Sequence, residues 1–348
     1  MSDATGPGDA PPAMAICVPA RNEAARLPRL FDALERLAVP ARTTVHVCVL
    51  LDTCTDGSAA VASAYAGRAR HQVHVASVEG AAANAGIARH AAMTLGIAAL
   101  SDADDVLLST DADSWPATDW LPATLAALAA ADVVAGDVRR RAGVPDRAQD
   151  RIEQYYTRLH ALRRRVDPLT WETCATHHHA SGANMAMHVA TYKAVGGFAP
   201  VASGEDARLL DDASRAGLRV RRDAASVVHT SARRHGRAVG GLATALQMLD
   251  RTGCESVRVT DPDDQLWQYR HHALARRAFA ASELSSLVPA LRLSLDHLRG
   301  VARDCPNAEA FAMRVVPEAP AGMRQVPLAV AEHTLAALID GTMPAQAA

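Results

Sequence analysis

Two aspartates after an apolar segment are the first residues in the sequence with the chemistry of a binding site. Asp111 and Asp113 follow the apolar run DVLLST, residues 105–110. Residues two apart in an extended segment point to the same side, which lets both carboxylates face one ion. Carboxylate oxygens suit Mg²⁺ and Mn²⁺, and Mg²⁺ is usually bound together with substrate phosphates. We therefore predict a Mn²⁺ or Mg²⁺ site at Asp111 and Asp113.

An ordinary structural role competes with this interpretation. Aspartates often form turns and begin helices, so an isolated pair does not define a metal site. The segment SDADD, residues 101–105, has the same spacing of acids, but it precedes the apolar run and we assign it to a loop in solvent. Further motifs are needed to favour the metal.

Polar residues also follow the first two predicted strands. Pro19, Arg21 and Glu23 come at the end of the apolar segment MAICV, and Asp52 ends the segment VHVCVLLD. In an open parallel sheet, ligands bind beyond the carboxyl ends of the strands. We therefore expect these side chains to share one crevice with the aspartate pair.

Four motifs in order resemble those of the family 2 glycosyltransferases of the GT-A fold. Those enzymes carry a P-x-x-N-E segment, a turn like D-x-S-x-D-G-S, a D-x-D pair and an E-D pair. This sequence has PARNE, DTCTDGS, TDAD and GED, and the resemblance covers residues 14–237. Cys54 stands where serine is common in the family. The C-terminal third lies outside the resemblance.

The resemblance implies a site for a nucleoside-diphosphate sugar. Asp52 would bind the base, with UDP expected before GDP because UDP is commonest in the family, although a carboxylate also suits guanine. Structural roles remain as alternatives for some of these residues. Asp52 is also a typical turn residue, and the segment from residue 84 to 89 would also fit an ordinary buried helix. The full predicted nucleotide-sugar set is Pro19, Arg21, Glu23, Asp52, Asn84, Arg89, Asp111, Ala112, Gly182, Asn184, Arg233 and Arg237.

The resemblance also implies the catalytic residues. Glu205 and Asp206 form the E-D pair at a predicted helix start, and in the family the Asp of this pair is the general base. One base and one displacement predict inversion at the anomeric carbon. His229, at a later strand end, is predicted as a third metal ligand. Acids also favour helix starts through the helix dipole, and a strand end with a basic surface would explain the segment after residue 229.

The elements that must position these residues alternate between strand and helix. Short apolar segments and helical segments follow one another from residue 14, which predicts an α/β fold with an open, mostly parallel sheet flanked by helices. We predict a disordered segment 1–13, a GT-A catalytic domain 14–240 and a helical C-terminal extension 241–348. The segment LRVRRDAASVVHTS is expected to form a hairpin-like pair of strands.

Composition narrows the possible partners. The net charge is −2 and the isoelectric point is near 6.7, which does not favour nucleic acid or an anionic membrane as a partner. The six cysteines show no paired spacing and are expected to be reduced. With no signal peptide and no run long enough to span a bilayer, we expect a cytoplasmic protein. The acceptor and the oligomeric state are not specified.

Two other functions remain as alternatives. A nucleotidyltransferase on a related sheet would carry a glycine-rich loop after the first strand, and VPARNEAARLP has no glycine there. A non-catalytic nucleotide-sugar-binding protein would not need every acidic motif, and all of them are present. A metal-dependent glycosyltransferase is therefore the leading hypothesis.

Overall fold

The computed structural model describes residues 12–79, 84–141, 146–234 and 242–341. These residues form two compact units. The first contains residues 12–79, 84–141, 173–211 and 219–234, and the second contains residues 146–172, 212–218 and 242–341. Most of the predicted disordered segment 1–13 lies outside the described residues, and the predicted domain boundaries stay predictions.

The strands and helices are numbered along the chain. The strands are β1 Met14–Ala20, β2 Val45–Asp52, β3 Gln72–Val78, β4 Val106–Ser109, β5 Ser114–Pro116, β6 Val133–Arg141, β7 Met185–His188, β8 Val220–Ser231, β9 Arg258–Thr260 and β10 Gln325–Pro327. The helices are α1 Leu27–Glu35, α2 Ser58–Ala66, α3 Ala85–Ala99, α4 Trp120–Leu128, α5 Arg147–Val166, α6 Val189–Ala194, α7 Glu205–Arg215, α8 Leu242–Thr252, α9 Pro262–Ala281, α10 Leu287–Leu291, α11 Leu295–Asp304, α12 Ala308–Val315 and α13 Leu328–Gly341.

The first unit is built on an eight-stranded sheet in the order β3-β2-β1-β4-β7-β6-β8-β5. Strands β1 to β4 are parallel to their neighbours in this group, and β6 is parallel to β8. Strand β7 runs antiparallel between β4 and β6, and β5 runs antiparallel to β8. The predicted α/β class with a mostly parallel sheet is confirmed.

Strand β8 is one strand where the sequence predicted a hairpin-like pair. It pairs with β6 in parallel on both sides of an irregularity in register, which places Asp223 opposite Gly136 and Val227 opposite Asp137. The residues between Asp223 and Val227 therefore bulge out of the ladder. Such a bulge interrupts the alternation of apolar and polar residues, which is why the segment resembled two strands in the sequence.

The core of the first unit explains the position of the strand ends. Leu30 and Phe31 of α1 and Trp120 of α4 are fully buried in one apolar cluster with side chains of β1, β2, β4 and β6. Helix α3 begins at Asn84, whose side chain accepts a hydrogen bond from the backbone N–H of Ile87. These contacts fix the carboxyl ends of β1, β2 and β4 beside the start of α3.

The second unit is mostly helical, and it buries charged groups as well as apolar ones. Its apolar clusters include Phe311 of α12 and Tyr155 of α5. Arg276 of α9 forms ion pairs with Asp167 and Glu309, all within this unit. None of the helices within the described residues combines the length and apolar character that crossing a membrane requires.

A half-buried histidine makes the stability of the second unit depend on pH. Burial lowers the pKa of His272 to about 3, and the charges of Arg276 and Arg215 act in the same direction. The unfolded chain takes up this proton near pH 6.5. This contribution to stability is therefore complete above pH 6.5 and is lost as the pH falls toward 3. We expect the free energy of unfolding to fall by up to about 1.4 kcal/mol per pH unit from this group.

Urea unfolding of wild-type protein and His272→Gln between pH 7 and 5 measures this slope. The variant is expected to lose less stability on acidification than the wild type. His333→Gln, at an exposed position of α13, is the matched control and should keep the wild-type slope. Equal slopes for all three proteins would show that His272 does not cause the acid sensitivity.

Candidate active site

A cavity of about 160 Å³ lies at the carboxyl ends of β1, β2 and β4. It joins the loops after these strands to the first turn of α3 and to the segment after β8. Ten of the predicted site residues border it, and three further alanines complete the wall. The lining residues are Pro19, Ala20, Arg21, Glu23, Asp52, Asn84, Ala85, Ala88, Arg89, Asp111, Ala112, Asp113 and Arg233.

The loops after β1 and β2 are held together by side-chain hydrogen bonds. The side-chain oxygen Oδ1 of Asn22 accepts from the backbone N–H of Thr55 at 2.7 Å. Asp56 accepts from the N–H of Ala24 at 3.1 Å and from the N–H and hydroxyl of Ser58. The hydrogen bonds from Ser58 lower the pKa of Asp56, with burial acting in the opposite direction. Apart from Asp52, the DTCTDGS motif therefore shapes the cavity wall without bordering the cavity itself.

Asp52 and Arg21 form one end of the cavity wall. The hydroxyl of Thr53 donates to Asp52 Oδ1 at 3.0 Å, and Arg21 Nη1 lies 3.7 Å from Asp52 Oδ2. Nη1 of Arg21 is buried, and it has no hydrogen-bond partner within the described part of the chain. A buried N–H group without a partner is costly. This end of the cavity thus offers one carboxylate and one donor to a ligand.

Arg89 connects four parts of the first unit. Its Nη1 donates to Asp111 Oδ1 at 2.9 Å, to Ser109 Oγ at 3.0 Å and to the carbonyl of Gly182 at 2.9 Å. Its Nε donates to Glu205 Oε1 at 3.2 Å. Burial lowers the pKa of Arg89, but the two carboxylates more than offset this effect and the pKa ends above its usual value. Arg89 therefore stays charged and ties the aspartate pair to the start of α7.

Gly182 and Asn184 support the site without bordering the cavity. A Cβ atom at Gly182 would overlap with the guanidinium of Arg89, so the glycine makes room for that side chain. The N–H of Gly182 donates to Asp206 Oδ2 at 3.2 Å. Asn184 is 2 % exposed, and its side chain bonds to Trp120 and to two backbone carbonyls. The structure thus places these two residues behind the site, where they contact protein groups.

Asp113 lies in a second charged cluster. Its Oδ2 accepts from the hydroxyl of Ser231 at 2.8 Å and lies 3.0 Å from Nε of Arg233. Nη1 of Arg233 donates to Glu23 at 2.6 Å. Burial raises the pKa of Asp113, and the charge of Asp111 raises it further, while Arg233 and Ser231 act in the opposite direction. Each aspartate thus has an arginine partner, and for Asp113 these favourable contacts only partly offset burial and the repulsion from Asp111.

The structure does not bring His229 to the aspartate pair. Strand β5 pairs with β8 so that Trp115 lies opposite His229, and the two rings stack with centroids 6.0 Å apart. The ligand atoms of Asp111, Asp113 and His229 do not all lie within 4.8 Å of one another in the described part of the chain. The predicted third metal ligand is therefore not supported by the geometry. The predicted phosphate contact Arg237 lies outside the described residues.

Sequence reasoning missed Ser109, Thr53 and Ser231 as supporting residues. Ser109 is fully buried, and its hydroxyl donates to the carbonyl of Gly182 at 2.7 Å. Thr53 and Ser231 bond to predicted site residues, as described above. Strand alternation contained one signal: Ser231 is two residues from His229 and so lies on the same face of β8. Thr53 lies within the DTCTDGS motif and Ser109 directly precedes TDAD, and a single hydroxyl carries no signal of its own.

A comparison with protein families identifies the chain. The sequence model of Glycosyl transferase family 2 matches residues 15–189, half of the chain. The chain belongs to this family. Membership makes the protein a glycosyltransferase that uses a nucleotide sugar, and its sheet is of the GT-A type. The predicted family, fold class and enzyme class are confirmed.

Comparisons with individual proteins add the following. No match was found among curated proteins. Residues 1–349 of S. aureus TarS, in complex with UDP-GlcNAc, are 16 % identical, with 88 % of this chain and 82 % of that chain covered and a TM-score of 0.49. The mannosyltransferase PcManGT from Pyrobaculum calidifontis, in complex with GDP-Man and Mn²⁺, is 17 % identical, with 99 % and 80 % covered and a TM-score of 0.46.

Proposed function

We propose that this family member transfers a sugar from a nucleoside-diphosphate sugar to an acceptor hydroxyl, with a divalent metal and with inversion. The observation that carries the proposal is the composition of the cavity wall. It combines Asp52 and Arg21 at one end with Asp111 and Asp113 at the other. Arg89 then connects this wall to the start of α7.

The nucleotide is assigned to the end with Asp52 and Arg21. A carboxylate accepts from the imide N–H of uracil. Nη1 of Arg21, which has no hydrogen-bond partner among the described residues, can donate to a carbonyl or a phosphate oxygen. Pro19 borders the same cavity, and Glu23 does so beside Arg233. We place UDP first, and GDP is the alternative because guanine also presents N–H donors to a carboxylate.

The metal is assigned to Asp111 and Asp113. Their oxygens are the ligands that Mn²⁺ and Mg²⁺ bind, and the raised pKa of Asp113 is the mark of repulsion and burial that a cation would relieve. A bound divalent cation would neutralise charge that develops on the departing diphosphate. Arg233, in contact with Asp113 and Glu23, is placed to bind a phosphate oxygen as well.

The general base is assigned to Asp206. It lies half-buried in the first turn of α7, and the N–H of Gly182 orients its carboxylate. The acceptor hydroxyl must lose its proton as it attacks the anomeric carbon, and Asp206 would take that proton. Glu205 is 4 % exposed and bonded to Arg89, so we assign it to positioning. A single displacement with one base inverts the anomeric configuration.

The metal assignment predicts that Asp113→Asn abolishes Mn²⁺-dependent nucleotide binding. Asparagine keeps an oxygen for Ser231, but it removes the charge that a cation needs. Calorimetric titration of UDP and GDP, with and without Mn²⁺, measures the effect, and slow hydrolysis of UDP- and GDP-sugars measures catalysis. Asp104→Asn, in the exposed SDADD loop, is the matched control and should behave as wild type.

The same experiment separates the alternatives. Nucleotide binding that is equal with and without Mn²⁺ in wild type and Asp113→Asn would contradict the metal site. Binding without hydrolysis or transfer of any sugar in the panel would indicate a non-catalytic binding protein. Release of diphosphate from a nucleoside triphosphate and a sugar phosphate would indicate a nucleotidyltransferase.

A further inference from the structure

A row of side chains on β5, β8 and β6 lies next to Asp113 and outside the cavity. Trp115 of β5 is opposite His229 of β8, and His229 is opposite Arg139 of β6. Ser231, which bonds to Asp113, is two residues beyond His229 on the same strand. Residues two apart on a strand share a face at a spacing of about 7 Å. The row through His229 is therefore the neighbour of the row that contains Asp113.

Three exposed arginines lie in or beside this row: Arg139 is part of it, Arg29 contacts Trp115, and Arg141 is opposite Ser231. We name Arg29, Arg139 and Arg141 the cationic ledge. The guanidinium carbon of Arg29 lies 3.3 Å over the ring of Trp115. Arg139 forms an ion pair with Asp137 at 2.7 Å. Neither Arg29 nor Arg141 has an ion pair with another of the described residues. Within the described residues, Asp137 is therefore the one carboxylate that forms an ion pair with any of the three arginines of the ledge.

The charges of the three arginines all act on the imidazole of His229, although the arginines belong to two different elements, α1 and β6. Burial lowers the pKa of His229, and Arg141, Arg139 and Arg29 lower it further. Asp137 acts in the opposite direction with a smaller effect. The arginines of α1 and β6 therefore converge on the middle strand, β8. Such convergence in a protein of net charge −2 is a local feature and does not follow from the overall composition.

We propose that the cationic ledge binds negatively charged groups of the acceptor, and that the acceptor is an anionic glycan carrying phosphate, sulfate or carboxylate. The inference rests on the proposed function, because it takes Asp113 to mark the position of the donor diphosphate. Planar guanidinium groups make paired, charge-assisted hydrogen bonds to such anions. Because Ser231 joins β8 to Asp113, an anionic acceptor held on the ledge would lie beside the assigned metal site.

Fluorescent dextran sulfate, carboxymethyl dextran and uncharged dextran of equal length serve as probes of the ledge. Their binding is measured by anisotropy at low salt with saturating UDP and Mn²⁺, so that the donor cavity is filled. Both anionic probes are expected to bind wild type. The double variant Arg29→Gln/Arg141→Gln should weaken this binding about tenfold or more, since each lost charge-assisted bond contributes substantially. Preference for one probe identifies the anionic group.

The matched control is Arg36→Gln/Arg42→Gln, which removes the same charge from two exposed positions of the first unit outside the ledge. It should bind the anionic probes nearly as wild type does. An equal loss in both double variants, or equal binding of uncharged dextran, would overturn the ledge as a glycan site. Failure of both UDP and GDP to bind, measured separately by calorimetry, would contradict the proposed function, whereas binding of the dextran probes would still test the ledge.

Discussion

Asp206→Asn is expected to lower the rate of sugar transfer by about 10²- to 10⁴-fold, because general-base catalysis contributes an effect of that size. Asparagine can still accept the hydrogen bond that Gly182 donates to Asp206, so the loop and helix α7 should keep their positions. Donor binding should therefore stay near the wild-type value. Steady-state transfer, together with calorimetric binding of the donor, separates the loss of chemistry from a loss of affinity.

Two further variants of helix α7 sharpen this test. Asp211→Asn removes a carboxylate from the same helix, away from its first turn, and transfer should continue at the wild-type rate. Glu205→Gln removes a partner of Arg89 and should lower transfer less than Asp206→Asn does. Transfer at the wild-type rate by Asp206→Asn would mean that Asp206 is not the general base. A larger loss of transfer in Glu205→Gln than in Asp206→Asn would instead assign the general base to Glu205 and positioning to Asp206.

The end positions of strands were the most predictable part of the site. Asp52 and Asp111 come after apolar runs, and parallel strands bring such ends to one edge of a sheet. This rule needs only the type and order of residues, so the sequence sufficed to gather most of the cavity wall. The same rule separated Asp111 from Asp104, which precedes β4 and lies in an exposed loop.

Long-range contacts were less predictable, because strand register and side-chain reach decide them. His229 follows the E-D pair in the expected order, yet the pairing of β5 with β8 places Ser231 beside Asp113 and His229 beside Trp115. The residue beside Asp113 is thus two positions further along β8 than the predicted ligand. The bulge after Asp223 changes the register of β8 against β6 in the same way, without a clear signal in the local sequence.

Arg89 shows a different limit of sequence reasoning. Its predicted role was a nucleotide contact at the start of α3, and the structure does place it on the cavity wall. Its partners Asp111 and Glu205 lie 22 and 116 positions away in sequence. Such distant partners leave no local pattern. The contacts by which Arg89 joins Asp111 to the start of α7 therefore became visible only in three dimensions.

Arg89→Met is expected to destabilise the protein by about 3–5 kcal/mol, the cost of leaving a buried charge without its partner. Arg89 and Glu205 have side chains 10 % and 6 % exposed, so Glu205 would be left as a buried carboxylate. Asp111 is 34 % exposed and contributes less, because water can solvate it. Urea unfolding followed by circular dichroism measures the loss, which is large against a typical domain stability of about 5–15 kcal/mol.

The double variant Arg89→Met/Glu205→Gln tests the cause of this loss. If the unpaired carboxylate is responsible, removing its charge should restore part of the stability, so the two substitutions should be non-additive. Arg219→Met is the matched control, because Arg219 pairs with Asp132 at 2.8 Å but is 48 % exposed. That exposed pair should cost about 0–1 kcal/mol. Strict additivity of the two substitutions, or an equal loss in Arg219→Met, would show that burial of the Arg89–Glu205 pair does not stabilise the site.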